Sequence, residues 1–203
     1  LTKIKESILL NEDGQLIIVE GEAGSGKTVL MSTLLYELGK YNLDLDENLD
    51  IHLLVNHNEH VSIYSQIVSK LGIANKKNKI VQKPTSFINN NSSDEKVDVV
   101  IVDEAHLLLT QGKQSYQGKN HLDDLLARAK VVVIVFDIKQ VLTTEQIWEV
   151  DKLNEYFDKA KSNSNHVTLR NQMRINSDIS TVNWIRNLVD YQVINSIPKD
   201  KLG

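Results

Sequence analysis

The sequence has no cysteine, only two prolines, and aromatic side chains at just 5% of its 203 positions. Without cysteine there is no disulfide framework and no thiolate metal site, which fits a reducing, cytoplasmic location. No apolar run approaches the roughly 20 residues of a membrane span. The longest, AKVVVIVF, has a strand's length, so no membrane partner is expected. A strongly basic balance is also missing. The net charge is −4 and the pI about 5.9, so the usual electrostatic footprint of nucleic-acid binding is absent from the chain as a whole. One local basic stretch remains, Lys70, Lys76, Lys77, Lys79 and Lys83. It reads either as a solvated loop or as a contact to a phosphate backbone. The N-terminal LTKIKESILLNEDG lacks the apolar core of a signal peptide. It also lacks an initiator methionine, and with the end at KDKLG this points to a piece of a longer protein.

What is present is an ordinary globular composition, 41% hydrophobic and 25% charged. No internal repeat or second boundary appears, so residues 1–203 are expected to form a single domain. Short β-branched runs alternate with longer stretches of helical period. Residues 15–20 (QLIIVE), 50–56 (DIHLLVN), 96–103 (KVDVVIVD) and 130–137 (KVVVIVFD) read as strands, with HVTLR as a short fifth. Val29, Leu30, Thr33, Leu34 and Leu38 recur at helical spacing, with Gly39 expected to stop that helix. Val61, Tyr64, Ile67, Val68 and Leu71 form a second stripe ending at Gly72. GKNHLDDLLARA is helical. Thr143 with Gln146 resembles a capping box opening a helix through Ile147, Val150, Leu153 and Phe157. Ile179, Val182, Ile185 and Leu188 mark a last helix. Residues 75–96, rich in Asn, Lys and Ser, are expected to be loop, with at most a short strand at KIVQ. Trp148 and Trp184 are expected in helices, as core. Near-continuous apolar strands alternating with helices imply an α/β fold with a parallel sheet covered on both faces.

The stretch VEGEAGSGKTVL carries the chemistry. Gly21, Glu22, Ala23, Gly24, Ser25, Gly26, Lys27 and Thr28 match G-x-x-x-x-G-K-T, with Val29 next, between a strand and a helix. Successive backbone N–H groups in such a loop cradle phosphate oxygens. Glycine serves where a side chain would block the anion, and the following helix presents its positive end. Lys27 would reach the β- and γ-phosphates and Thr28 would offer its hydroxyl to Mg²⁺. The loop is therefore expected to bind a nucleoside triphosphate.

The third strand ends VVIVDEAH. Ligands of open parallel sheets lie at the strands' carboxyl ends, which places Asp103 beside the Mg²⁺. Glu104, one residue on, could orient or deprotonate the attacking water. This pair favours hydrolysis over transfer to a small acceptor. A nucleotide kinase would need an arginine cluster and lid, and none is found. A GTPase would need Asn-Lys-x-Asp where FDIKQ stands, with Asp137 and Gln140.

In order and spacing, GEAGSGKT, VDEAH, VVVIVFDIKQ and LRNQMR resemble the motifs of a superfamily 1 helicase, from about Leu16 to Leu188. Within that superfamily the chain is similar to a bacterial group, the domain-of-unknown-function 2075 group, related to Schlafen-type helicase domains. There too a segment runs from Asp-x-x-Gln to Gln-x-Arg and on to a Trp-containing helix, here VNWIRNLV. The resemblance implies a RecA-like P-loop NTPase fold with about five parallel strands, binding ATP and Mg²⁺. It implies that Gly26, Lys27 and Thr28 hold phosphate and metal, Asp103 holds Mg²⁺, and Glu104 is the base. It further implies that Gln140 senses the γ-phosphate and that Arg174 stabilises transition-state charge, with Arg170 as its rival. Gln140 could equally be an ordinary helix-start residue. His106 either links the ATP site to the motor's other domain or caps a helix. There are departures: Phe136 stands where the family has glycine before its aspartate, and Leu107 follows His106. The second RecA-like domain is absent from this stretch, so the chain alone is expected to hydrolyse ATP weakly. In the intact protein that domain and single-stranded nucleic acid are the expected partners, for an ATP hydrolase of the helicase type. Two other readings share the motifs: an AAA-type ATP-driven switch or assembly ATPase acting on protein, and a non-catalytic nucleotide-binding module. For the RecA-like assignment, the fourth strand must lie between the first and the third.

Overall fold

A computed structural model of the chain describes residues 1–10, 12–44, 49–73, 79–112, 116–137, 140, 148–169 and 177–199. Along the chain run α1 (Thr2–Leu9), β1 (Gln15–Gly21), α2 (Lys27–Asp44), β2 (Ile51–Leu54) and α3 (Asn58–Lys70). Then come β3 (Val81–Gln82), α4 (Pro84–Asn90), β4 (Val97–Val102), a 3-10 turn (Ala105–Leu107), α5 (His121–Arg128) and β5 (Ala129–Phe136). The chain continues through α6 (Val150–Ser162), β6 (His166–Leu169) and α7 (Ile179–Tyr191). The strands form one sheet in the order β3-β2-β4-β5-β1-β6. Each neighbouring pair is parallel. The fourth expected strand, β5, does lie between β1 and β4, as a RecA-like sheet requires. The sheet has one strand more than the expected five because KIVQ contributes the short edge strand β3.

The unbroken apolar runs are explained by the two faces of the sheet. Successive strand side chains point to opposite sides. Leu16, Ile18, Val100, Val102, Val132, Ile134 and Phe136 pack on one face with Phe87 of α4, Leu122 and Leu125 of α5, and Tyr156 and Phe157 of α6. Ile17, Val19, Val99, Ile101, Val131, Val133 and Val135 pack on the other with Ile4 of α1, Met31 and Leu35 of α2, and Tyr64 and Val68 of α3. With no solvent face, no polar alternation survives. Each such Val or Ile stabilises by about 1.5–3 kcal/mol on burial. The buried central strands β1, β4 and β5 are thereby held on both faces.

Four local expectations are corrected. Gly39 does not stop its helix; α2 continues to Asp44. A Cβ at Gly39 would stand 2.7–2.9 Å from three side-chain atoms of Ile73. The glycine is there for close approach of the segment after α3, not for a turn. Gly72, by contrast, ends α3 as expected, at φ +67°. Its N–H bonds Ser69 O and that of Ile73 bonds Val68 O, satisfying the last carbonyls of the helix. The expected loop at 75–96 contains α4, started by Pro84 at its first turn and anchored by buried Phe87 and Ile88. Two adjacent apolar residues give no periodicity, so composition hid this helix. Trp148 is core but precedes α6 rather than lying in it. Trp184, on α7, is half-buried and donates its indole N–H to Asn195 O. The expected capping box, Thr143 and Gln146, lies outside the described residues.

Candidate nucleotide site

β1 delivers the chain at Gly21 into a five-residue loop that closes on α2. Gly24 and Gly26 take φ of 84° and 88°, the left-handed region glycine enters without a Cβ penalty. Gly21 is enclosed by its neighbours: an added Cβ would collide with the Ser25 hydroxyl and press on Leu169 at 3.2 Å. The Ser25 hydroxyl is buried without a hydrogen-bond partner among the described residues. The loop is thus a tight backbone concavity opening at the head of a helix of 18 residues, where the positive end of the helix dipole favours an anion.

Lys27 folds back over this loop. Its ammonium donates to Gly21 O at 2.7 Å, Glu22 O at 2.8 Å and Asp137 Oδ2 at 3.0 Å. Asp137 is only 2% exposed and follows the last residue of β5. The lysine's charge is therefore balanced inside the fold by an acid 110 residues away.

The second wall comes from the end of β4. Asp103 extends the sheet, its N–H bonding Leu54 O, and its carboxylate is buried. Oδ1 accepts from the Glu104 N–H at 3.0 Å, and Oδ2 accepts from the Tyr64 phenol at 2.9 Å. Burial first, then the charge of Asp103, pushes the Tyr64 phenol well above its ordinary range, so it stays a protonated donor. Glu104 turns sharply away at φ 53°, ψ 49°. For a residue with a Cβ this costs about 1–3 kcal/mol, a strain that clusters at functional sites. The turn leaves the Glu104 side chain 31% exposed, with Oε2 3.6 Å from His60 Nδ1. Two adjacent acids thus have different surroundings, one fixed and buried, the other reaching solvent.

These elements enclose a cleft of about 280 Å³ lined by Ala23, Gly24, Gly26, Lys27, Thr28, Val29, Asp103, Glu104, His106 and Gln140. Gln140 is held by its N–H on Asp137 O. His106 is 2% exposed. Burial lowers its pKa against the opposing pull of Glu104 and Asp137. Its Nδ1 has no hydrogen-bond partner among the described residues, and its ring packs edge-on against Phe136. That accounts for Phe136 where the resemblance has glycine: the ring also meets Trp148 and Phe157 and fills core. Glu22 accepts from Arg186 of α7 at 3.0 Å. Arg170 and Arg174 lie outside the described residues, as do Lys76 and Lys77 of the basic stretch.

The donor set suits a triphosphate and a hard cation. The unpartnered Ser25 hydroxyl, the positive-φ glycines and Lys27 suit phosphate oxygens. The Thr28 hydroxyl and Asp103 carboxylate are oxygen donors of the kind Mg²⁺ takes. Among the described residues no group of three or more His, Cys, Asp or Glu could hold a metal by itself. Mg²⁺ is usually held by one or two protein oxygens together with substrate phosphates. Sequence reading passed over three neighbours: Tyr64, counted only as part of an apolar stripe, His60, and Arg186. Only the hydroxyl on an otherwise apolar helical face could have singled out Tyr64.

Residues 14–202 match the family described as Schlafen group 3, DNA/RNA helicase domain. The uncharacterized protein YPL245W of Saccharomyces cerevisiae is 33% identical over 185 residues. The match takes in 84% of this chain but 40% of that protein, so the chain spans well under half of the relative's length. The crystal structure of the flagellar accessory protein FlaH from Methanocaldococcus jannaschii superposes with a TM-score of 0.43 at 14% identity, covering 73% of this chain and 69% of that one. Among the described residues no helix is long and apolar enough to cross a membrane.

Proposed function

The chain belongs to the Schlafen group 3 DNA/RNA helicase domain family, and from that premise we propose that it binds Mg-ATP in the cleft and hydrolyses it, as the N-terminal motor domain of a nucleic-acid-dependent ATPase or helicase. The observation that carries this reading is the convergence of Lys27, Thr28, Asp103, Glu104 and Gln140 on one cleft at the carboxyl ends of β1, β4 and β5.

Phosphate oxygens would take the place of the carbonyls and of Asp137 on the Lys27 ammonium. The loop N–H groups from Gly24 to Thr28 and the Ser25 hydroxyl would complete the cradle. Thr28 and Asp103 would hold Mg²⁺, whose role when bound is to offset negative charge on the β- and γ-phosphates. Glu104, with its reach into solvent, would accept the proton of the attacking water. Gln140 and Arg174 would contact the γ-phosphate, Arg174 offsetting charge in the transition state. A second RecA-like domain and single-stranded nucleic acid would complete the motor in the intact protein, and the domain alone would turn over weakly.

The test is ATP turnover by the full-length protein with and without single-stranded DNA or RNA. Stimulation by nucleic acid that disappears in Glu104→Gln, while nucleotide binding persists, is the expected result. Turnover indifferent to both nucleic acids but dependent on self-association would refute the motor and favour a protein-directed switch.

A further inference from the structure

We propose that Tyr64 is a positioning residue for the metal-holding carboxylate, a phenol placed on α3 to orient Asp103 toward a divalent cation. The inference rests on the Mg-ATP reading above and adds a residue that the phosphate-loop and acid motifs do not contain.

Tyr64 lies on the face of α3 that packs on the sheet, 3% exposed among Val68, Leu53 and Ile101. Packing alone would be met by phenylalanine. The added hydroxyl is a group whose burial is unfavourable unless it is hydrogen-bonded, and its bond goes to Asp103 Oδ2 at 2.9 Å. The other oxygen, Oδ1, is held by the Glu104 N–H. Both carboxylate oxygens are therefore fixed, yet each keeps a lone pair to offer to a cation or its waters.

Thr28, the other oxygen donor of the site, lines the same cleft as Asp103. Protein partners placed as Tyr64 is, one bond behind a metal's ligands, typically govern about 10–100-fold in metal affinity.

The experiment measures binding of a fluorescent, non-hydrolysable ATP analogue by the full chain, in EDTA and across a MgCl₂ titration. It compares wild type, Tyr64→Phe, Asp103→Asn and the double variant. The expected result is that Tyr64→Phe keeps its EDTA affinity within about twofold but needs about 10–100-fold more Mg²⁺ to reach tight binding. In the Asp103→Asn background Tyr64→Phe adds little, because the two act as one unit. The unchanged EDTA affinity shows that the loop is folded. Should Tyr64→Phe not yield folded protein, Tyr64→Met, also without a donor, takes its place with the same expectation. An unaltered Mg²⁺ requirement in a wild type that does depend on Mg²⁺ overturns the role of Tyr64 alone. A wild type that binds the analogue with no Mg²⁺ dependence overturns the Mg-ATP reading, and this inference with it.

Discussion

Replacing Lys27 by alanine is expected to weaken the nucleotide-free fold as well as nucleotide binding. The ammonium makes three short contacts, to Gly21 O, Glu22 O and Asp137 Oδ2. The pair with Asp137 is 13% exposed on the lysine side and 2% on the acid side. Removing one partner of a fully buried pair costs about 3–5 kcal/mol. Here the truncated side chain would open onto the cleft, and water could reach part of the vacated space. A loss of roughly 2–3 kcal/mol follows once that screening is allowed for. For a domain of this size that lowers Tm by roughly 4–12 °C, at 2–4 °C for each kcal/mol. The assay is thermal and urea unfolding in EDTA without nucleotide. Comparing Lys27→Ala, Asp137→Asn and the double variant isolates the pair. The double variant should lose less than the sum of the singles, with a coupling of about 1–3 kcal/mol. Lys27→Ala within about 0.5 kcal/mol of wild type, the range of an ordinary surface substitution, would refute the claim that this lysine supports the empty site.

Two further outcomes follow from the packing. His121 is buried, its Nδ1 accepting from the Leu109 N–H and its Nε2 meeting Thr85 Oγ1, and burial lowers its pKa to about 4. The folded state stays neutral while the unfolded chain takes up a proton below about 6.5, so stability is lost as pH falls from about 6.5 to about 4, by up to roughly 3 kcal/mol; urea midpoints across that range should fall less steeply in His121→Gln, and an unchanged slope would contradict the assignment. Gly39→Ala gains about 1 kcal/mol of helix propensity but drives a methyl into Ile73, at a cost of about 1–3 kcal/mol, so the variant should be less stable by up to roughly 2 kcal/mol, and Ile73→Ala should reverse the sign of the Gly39→Ala effect.

The legible parts of the molecule were those with short-range signals. The glycine-rich loop is eight consecutive residues between a strand and a helix, so spacing alone placed Gly21 through Thr28. Asp103 and Glu104 were placed because a strand's end is also the ligand end of a parallel sheet. β1, β2, β4 and β5 were readable because both faces are covered, which makes each an unbroken apolar run. α4 was not readable: its stability comes from Phe87 and Ile88 reaching the sheet's face, and TSFINN carries no period. Gly39 misled for a related reason, since its neighbour Ile73 lies 34 residues on and local rules see only a helix breaker.

The amino-acid order by itself determined that this protein has a parallel α/β sheet with a glycine-rich loop after its first strand and an acid pair at the carboxyl end of another. Periodicity and motif spacing act over a few residues and need no knowledge of what packs where. Only the tertiary structure decided that Asp137 neutralises Lys27 across 110 residues, and that Tyr64 holds Asp103 across 39. It also decided that Glu104 leaves the strand in a left-handed turn. Each of these depends on strand order and on helices docking against a common sheet. Charge and hydrogen bonding reach a few ångströms in space, a distance the linear sequence does not record.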